Sequence, residues 1–130
     1  MLEVAAAILS DAAGRVLIAR RKAHKAQGGY WEFPGGKLEV GETAEACLQR
    51  ELLEEMNLVI DEVKPFGVHE HDYGTVHIRL MACLAVVRGG EIQLIDHDAY
   101  RWVAVDELNT YDLAPADLPF VRMLEDQEKG

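Results

Sequence analysis

The chain has 130 residues, enough for one ordinary domain, and is 49% hydrophobic and 28% charged, the balance of a globular protein whose core needs no staples. Its formal net charge of −10 argues against a non-specific binder of DNA or RNA, since polymeric nucleic acid favours basic proteins. No apolar run approaches the roughly 18 residues a membrane span needs. The start, Met1-Leu2-Glu3-Val4, lacks the basic region and cleavage pattern of a signal peptide. Two cysteines, Cys47 and Cys83, fit buried thiols in a reducing compartment better than a disulfide framework. The expectation is a cytoplasmic protein with a single domain over residues 1–130, touching neither membrane nor polymeric nucleic acid.

In chain order, residues 2–9 are apolar and end at the turn signal Asp11-Ala12-Ala13-Gly14. Residues 15–21 read as a second strand, and the pair is expected to form a hairpin. Six of the thirteen Lys and Arg fall between Arg15 and Lys37, a local excess suited either to a phosphate or to a solvated loop. Residues 22–29 are a polar loop. Tyr30-Trp31-Glu32-Phe33 is a short aromatic strand stopped by Pro34-Gly35-Gly36. Thr43 is placed to cap a helix over residues 44–56, and Asn57 to close it in the left-handed conformation. Residues 59–73 and 75–87 read as strands around a turn at Gly74. After Gly89-Gly90, residues 91–94 and 99–105 add two short strands. Residues 118–126 read as a closing helix with Leu118, Val121 and Leu124 on its apolar side. Strands first, one helix in the middle and one at the end predict an α+β fold, a mixed α/β/α sandwich.

The middle helix has an unusual face. At about 100° per residue, Glu51, Glu54 and Glu55 share one arc with Ala44 and Cys47, with Leu48 and Leu52 beside it. Leu53 and Ala46 lie nearly opposite, which gives the helix apolar residues on two sides. Carboxylates at i, i+3 and i+4 repel one another, more so near the helix C-terminus, where the dipole is negative. Arg50 projects about 100° away from Glu51 and is expected to bridge only at the edge. A hard divalent cation with oxygen ligands is the natural compensation, a solvated acidic face the plain alternative.

The stretch Gly36-Lys37-Leu38-Glu39-Val40-Gly41-Glu42, then seven residues, then Arg50-Glu51-Leu52-Leu53-Glu54-Glu55-Met56-Asn57-Leu58, resembles the Nudix box, G-x5-E-x7-R-E-U-x-E-E-x-G-U, with Asn57 in place of the second glycine. The resemblance implies a Nudix fold: a central mixed sheet with the box helix and a C-terminal helix. It implies that Glu51, Glu54 and Glu55, with the Gly36 carbonyl, hold Mg²⁺, with Mn²⁺ as the substitute, while Glu42 and Arg50 brace the loop. Lys37 would lie near the phosphates, and the glycines of Pro34-Gly35-Gly36 would let backbone approach the substrate. Catalytic roles fall to Glu51 and Glu54, and the general base is either Glu51 or Asp96, six residues before Trp102.

Outside the box the chain resembles the MutT-type and CTP pyrophosphohydrolase-type group. In that likeness Arg21, in Val16-Leu17-Ile18-Ala19-Arg20-Arg21, faces the nucleotide. Phe33 either stacks on the base or belongs to the core beside Trp31. Asp117, in Leu113-Ala114-Pro115-Ala116-Asp117-Leu118-Pro119, either reads the base or caps the last helix. As an ionised acceptor, Asp117 would favour a cytosine nucleotide or an oxidised purine nucleotide such as 8-oxo-dGTP. The reaction implied is a nucleoside triphosphate giving monophosphate and pyrophosphate, in a monomer or homodimer. The alternatives are hydrolysis of dinucleoside polyphosphates, with Tyr73 as the pointer, or of ADP-ribose and nucleotide sugars, or a nucleotide sensor without turnover. His69, His71 and His77 lack the spacing of a zinc site.

Overall fold

The computed structural model describes residues 1–129. It contains β1 (Leu2–Leu9), β2 (Val16–Arg21), β3 (Trp31–Glu32), β4 (Gly35–Lys37), helix α1 (Ala44–Met56), β5 (Val59–Asp72), β6 (His77–Gly89), β7 (His97–Val103) and helix α2 (Leu118–Lys129). Two 3-10 turns, Val105–Thr110 and Pro115–Asp117, lie between β7 and α2. One sheet is mixed, in the order β4-β1-β6-β5, with β1 parallel to β6 and the other pairs antiparallel. The second is antiparallel, in the order β3-β2-β7.

The apolar runs of β1 and β2 follow from burial on both faces. Ala6 and Ile8 of β1, with Val16 and Ile18 of β2, share a cluster with Phe120, Val121 and Leu124 of α2. Ala5, Ala7, Leu9, Leu17 and Ala19 share the other cluster with Cys47, Leu48, Leu52 and Met56 of α1. The sheets are thus held between one helix on each side, the sandwich the element order predicts. Both cysteines are free and buried in the α1 cluster. Among the described residues no helix is long and apolar enough to cross a membrane.

Helix α1 has the predicted bounds and caps. Thr43 Oγ1 accepts from the Ala46 N–H at 3.1 Å, and Asn57 sits at φ 59° with its N–H directed at the Leu52 and Leu53 carbonyls. Only one of its two apolar sides is buried; Leu53 is 52% exposed, so that side faces solvent.

Three local expectations change. β1 and β2 do not make a hairpin: after a turn closed by Asp11 N–H to Arg15 O and one bridge, Ser10 to Val16, they part into different sheets. Gly35-Gly36-Lys37 is not a strand stop but β4, paired with β1. Gly35 permits this because a Cβ there would stand 1.9 Å from the Ala5 carbonyl oxygen. Residues 91–94 form no strand. Their backbone is taken up by the end of α1, Gln93 N–H reaching Met56 O and Glu91 O accepting from Asn57 Nδ2, both at 3.0 Å.

Candidate active site

Arg50 organises the acidic face of α1, and it reaches much further than helical geometry alone suggests. Its Nε and Nη2 form a fork on Glu42, each at 2.8 Å. Nη1 touches Glu51 Oε1 at 2.9 Å and Glu54 Oε2 at 3.5 Å, while Nη2 also donates to the Lys37 carbonyl at 3.2 Å. The long stem lets the guanidinium fold back over the loop, and its planar array of donors serves several oxygens together. Glu42 also accepts from the Glu39 N–H at 2.9 Å. The Arg50 hydrogen bonds hold the Glu42 carboxyl down to about 2. Glu42 and Arg50 therefore lock loop 36–42 onto the helix.

The three helix carboxylates have different surroundings. Glu51 is packed over Gly36, where an added Cβ would meet the carboxylate at 2.4 to 2.7 Å. The Glu54 side chain is 57% exposed. Glu55 Oε2 is buried with no hydrogen-bond partner among the described residues. Burial first, and then the Asp96 carboxyl beside it, push the Glu55 carboxyl up to about 7. Asp96 moves the other way, its carboxyl held low by the hydrogen bond from Glu55 and by Lys25, whose Nζ lies 3.1 Å from Asp96 Oδ1.

A cavity of about 250 Å³ begins at this loop. Gly35, Gly36 and Lys37 line it from the box loop; Val4, Ala5, Ala6, Ile78, Leu80 and Phe33 supply apolar wall; Arg21, Glu32, Tyr73 and Asp117 supply the polar groups. Asp117 is 4% exposed, and its Oδ2 accepts from the Phe33 N–H at 3.3 Å. The side chain is thus directed at β3 and the cavity wall instead of serving as a helix cap. Burial pushes its carboxyl well above the ordinary carboxylate range, with nearby Glu32 adding to the effect. Phe33 is 2% exposed, so it is a core residue as well as cavity wall. Arg21 donates to the Ala26 carbonyl at 2.8 Å and meets Glu32 at 3.4 Å. Much of the basic excess of residues 15–37 is spent within the chain: Arg15 on Asp11, Arg20 on Asp98, Arg21 on Glu32 and Lys25 on Asp96.

The NUDIX domain model matches residues 2–124. The chain belongs to the Nudix family. It is 36% identical over 121 residues to a CTP pyrophosphohydrolase of Escherichia coli K12, covering 93% of this chain and 89% of that protein. It is 32% identical over 124 residues to an 8-oxo-dGTP diphosphatase of the same organism, covering 95% and 96%. The crystal structure of a MutT NUDIX hydrolase from Burkholderia pseudomallei superposes with a TM-score of 0.83 at 27% identity, over 93% of this chain and 95% of the other.

Nudix hydrolases generally need divalent metal ions, and the residues present fit one. The donor set is all oxygen, as hard cations prefer. A buried Glu55 oxygen lacks a partner, and the glycine under Glu51 leaves no Cβ in the way. Among the described residues no three carboxylate, thiolate or imidazole groups stand together as a ready-made cage. Arg50 draws Glu51 and Glu54 toward itself while Glu55 turns to Asp96. Two side groups at this site, Glu32 and His97, are invisible in the pattern of the sequence. Glu32 lines the cavity between two aromatics, and only its place on a period-2 strand separates it from them. His97 is buried at 4% exposure, although Asp96-His97-Asp98 reads as a polar turn. Tyr73 anchors the late loop, its hydroxyl accepting from the Ala116 N–H at 3.1 Å.

Proposed function

We propose that this Nudix hydrolase is a nucleoside triphosphate pyrophosphohydrolase, converting NTP and water to NMP and pyrophosphate, with a cytosine nucleotide or an oxidised guanine nucleotide as substrate. The observation that carries the proposal is one cavity lined both by the box loop at Gly35-Gly36-Lys37 and by the buried Asp117. The box loop suits the phosphates, since Lys37 is cationic and Gly36 lies against Glu51, a ligand for the proposed cation. The rest of the cavity wall is apolar with a few polar groups, the usual character of a site for a nucleoside-sized ligand.

Mg²⁺ is the cation proposed, with Glu51, Glu54, Glu55 and the Gly36 carbonyl to hold it. When bound, such an ion neutralises phosphate oxygens and lowers the pKa of water. The protein's own residues do the rest. Arg50 and Glu42 keep the loop at a fixed distance from the helix. Asp96, which stands beside Glu55, is the candidate to take the proton from the attacking water; Glu51, pinned by Arg50, is better suited as a ligand. Arg21 and Lys37 offer positive charge near the cavity, and Phe33 a flat apolar wall.

Asp117 reads the base. Its raised pKa favours the neutral acid, which carries one donor and one acceptor and so has the hydrogen-bonding repertoire of Asn. That pattern pairs with the amino group and ring nitrogen of cytosine, and equally with the carbonyl and N–H of guanine or 8-oxoguanine. Similarity to a CTP pyrophosphohydrolase and to an 8-oxo-dGTP diphosphatase supports both choices.

The test is pyrophosphate release with Mg²⁺ from CTP, dCTP, 8-oxo-dGTP, dGTP, ADP-ribose and diadenosine polyphosphate. Turnover of one of the first three to a monophosphate is the expected result. Turnover confined to ADP-ribose or the dinucleotide would replace the substrate assignment while keeping the chemistry.

A further inference from the structure

β2 and β7 pair in step from Val16–Val103 to Arg20–Ala99 and then slip, so that Arg21 faces His97. A bulge of this kind re-aims the side chains around it. Asp98 turns outward onto Arg20 at 2.7 Å, and His97 turns inward until only 4% of it is exposed. Its Nε2 lies 2.9 Å from Glu32 Oε2. A carboxylate only accepts, so Nε2 is the protonated nitrogen. Nδ1 is buried with no partner among the described residues.

Arg21 Nη1 reaches the same Glu32 oxygen at 3.4 Å and is itself fastened to the Ala26 carbonyl through Nε. Both donors converge on Oε2, and Oε1 carries neither of them. Glu32 lines the cavity. We propose that His97 is a positioning residue: it fixes the Glu32 carboxylate so that its second oxygen accepts a hydrogen bond from the nucleoside half of the substrate. The donor is a base N–H or a ribose hydroxyl. This rests on the nucleotide reading above. His97 directly follows Asp96 in the chain, so one backbone segment carries a group beside Glu55 and a group beside Glu32.

The test compares wild type, H97F, H97Q, E32A and the double variant H97F/E32A in kcat, KM and Tm. Loss of one positioned hydrogen bond predicts that H97F raises KM about tenfold and changes kcat less than about threefold. H97Q, whose amide can still donate to Glu32, recovers most of that loss, and H97F adds nothing once E32A has removed the carboxylate. A larger E32A effect on CTP than on dCTP assigns the contact to the 2′-hydroxyl; equal effects assign it to a base N–H. An unchanged KM in H97F, independent effects in the double variant, or a fall in Tm with kinetics intact would overturn the proposal. Side-chain ¹⁵N NMR of the ligand-free protein gives an independent reading: Nε2 carries the proton and its signal moves in E32A. A proton found only on Nδ1 overturns the proposal whatever the substrate is. Wild type with the expected imidazole signal and no turnover of any nucleotide in the panel would sink the substrate assignment and leave the His97–Glu32 pair standing.

Discussion

At the scale of single residues, two adjacent glycines separate stability from activity. Gly35→Ala would drive a methyl into the Ala5 backbone, which cannot retreat, and is expected to lower Tm sharply or prevent folding. Gly36→Ala first meets the end of the flexible Glu51 side chain, so the variant should fold with near-normal Tm and lose activity as that carboxylate is displaced. Thermal melts beside turnover assays check both. Glu54→Gln, at an exposed position, should leave Tm unchanged and cut kcat roughly a hundredfold or more if the carboxylate is a metal ligand. Asp117→Asn tests the form of the base reader. The neutral acid is lost as pH rises through its raised pKa, so wild-type kcat/KM should fall on the alkaline side, while Asn keeps donor and acceptor at every pH. A variant that is inactive throughout would mean that the ionised form does the reading. The box carboxylates were legible in the sequence because helical spacing fixes which residues share a face. The reach of Arg50 was not, since a flexible side chain is placed by the loop it meets. His97 was hidden for a related reason: a bulge in β7, set by pairing with β2, decides which way the histidine points.

Among the elements, α1 was the most legible, because Thr43 and Asn57 mark its ends by local chemistry alone. Asn57→Ala loses the Nδ2 bond to Glu91 O and forces a Cβ residue of poor left-handed preference to φ 59°, so it should cost about 1–2 kcal/mol in urea unfolding. Asn57→Gly, the family's usual residue, loses the same bond but relieves the backbone and should stay within about 1 kcal/mol of wild type. The strands were legible as runs, less so as partners. β1 and β2 are joined by a hairpin-like turn, yet the sheets diverge after a single bridge, a choice made by β6 and β7 from far along the chain. Residues 91–94 have strand-like composition, but the unfilled carbonyl of Met56 at the end of α1 claims their backbone.

Across the whole molecule, a formal net charge of −10 and a carboxylate-rich site make cation binding and protonation compete. Glu55 releases its proton at about 7, and a divalent ion needs it ionised. Added Mg²⁺ should therefore raise Tm more at about pH 8 than at about pH 6, and its binding near neutral pH should release protons, measurable by calorimetry in buffers of different ionisation enthalpy. Without metal the sign reverses. The folded protein retains a proton that the unfolded chain gives up above the ordinary value of 4.5, so this stabilising contribution is full below that value and is lost as pH rises through about 7. The parallel pairing of β1 with β6 has a separate consequence, for the order of folding. Leu2 must find Ile78 across most of the chain, a costlier closure than that of the β5–β6 hairpin, which needs only its own turn. Gly35-Gly36-Lys37 then docks on β1. Loop closure therefore predicts that the second half of the chain orders first and that loop 36–42, though encoded early, is among the last pieces to reach its place, an order that pulsed hydrogen exchange would check.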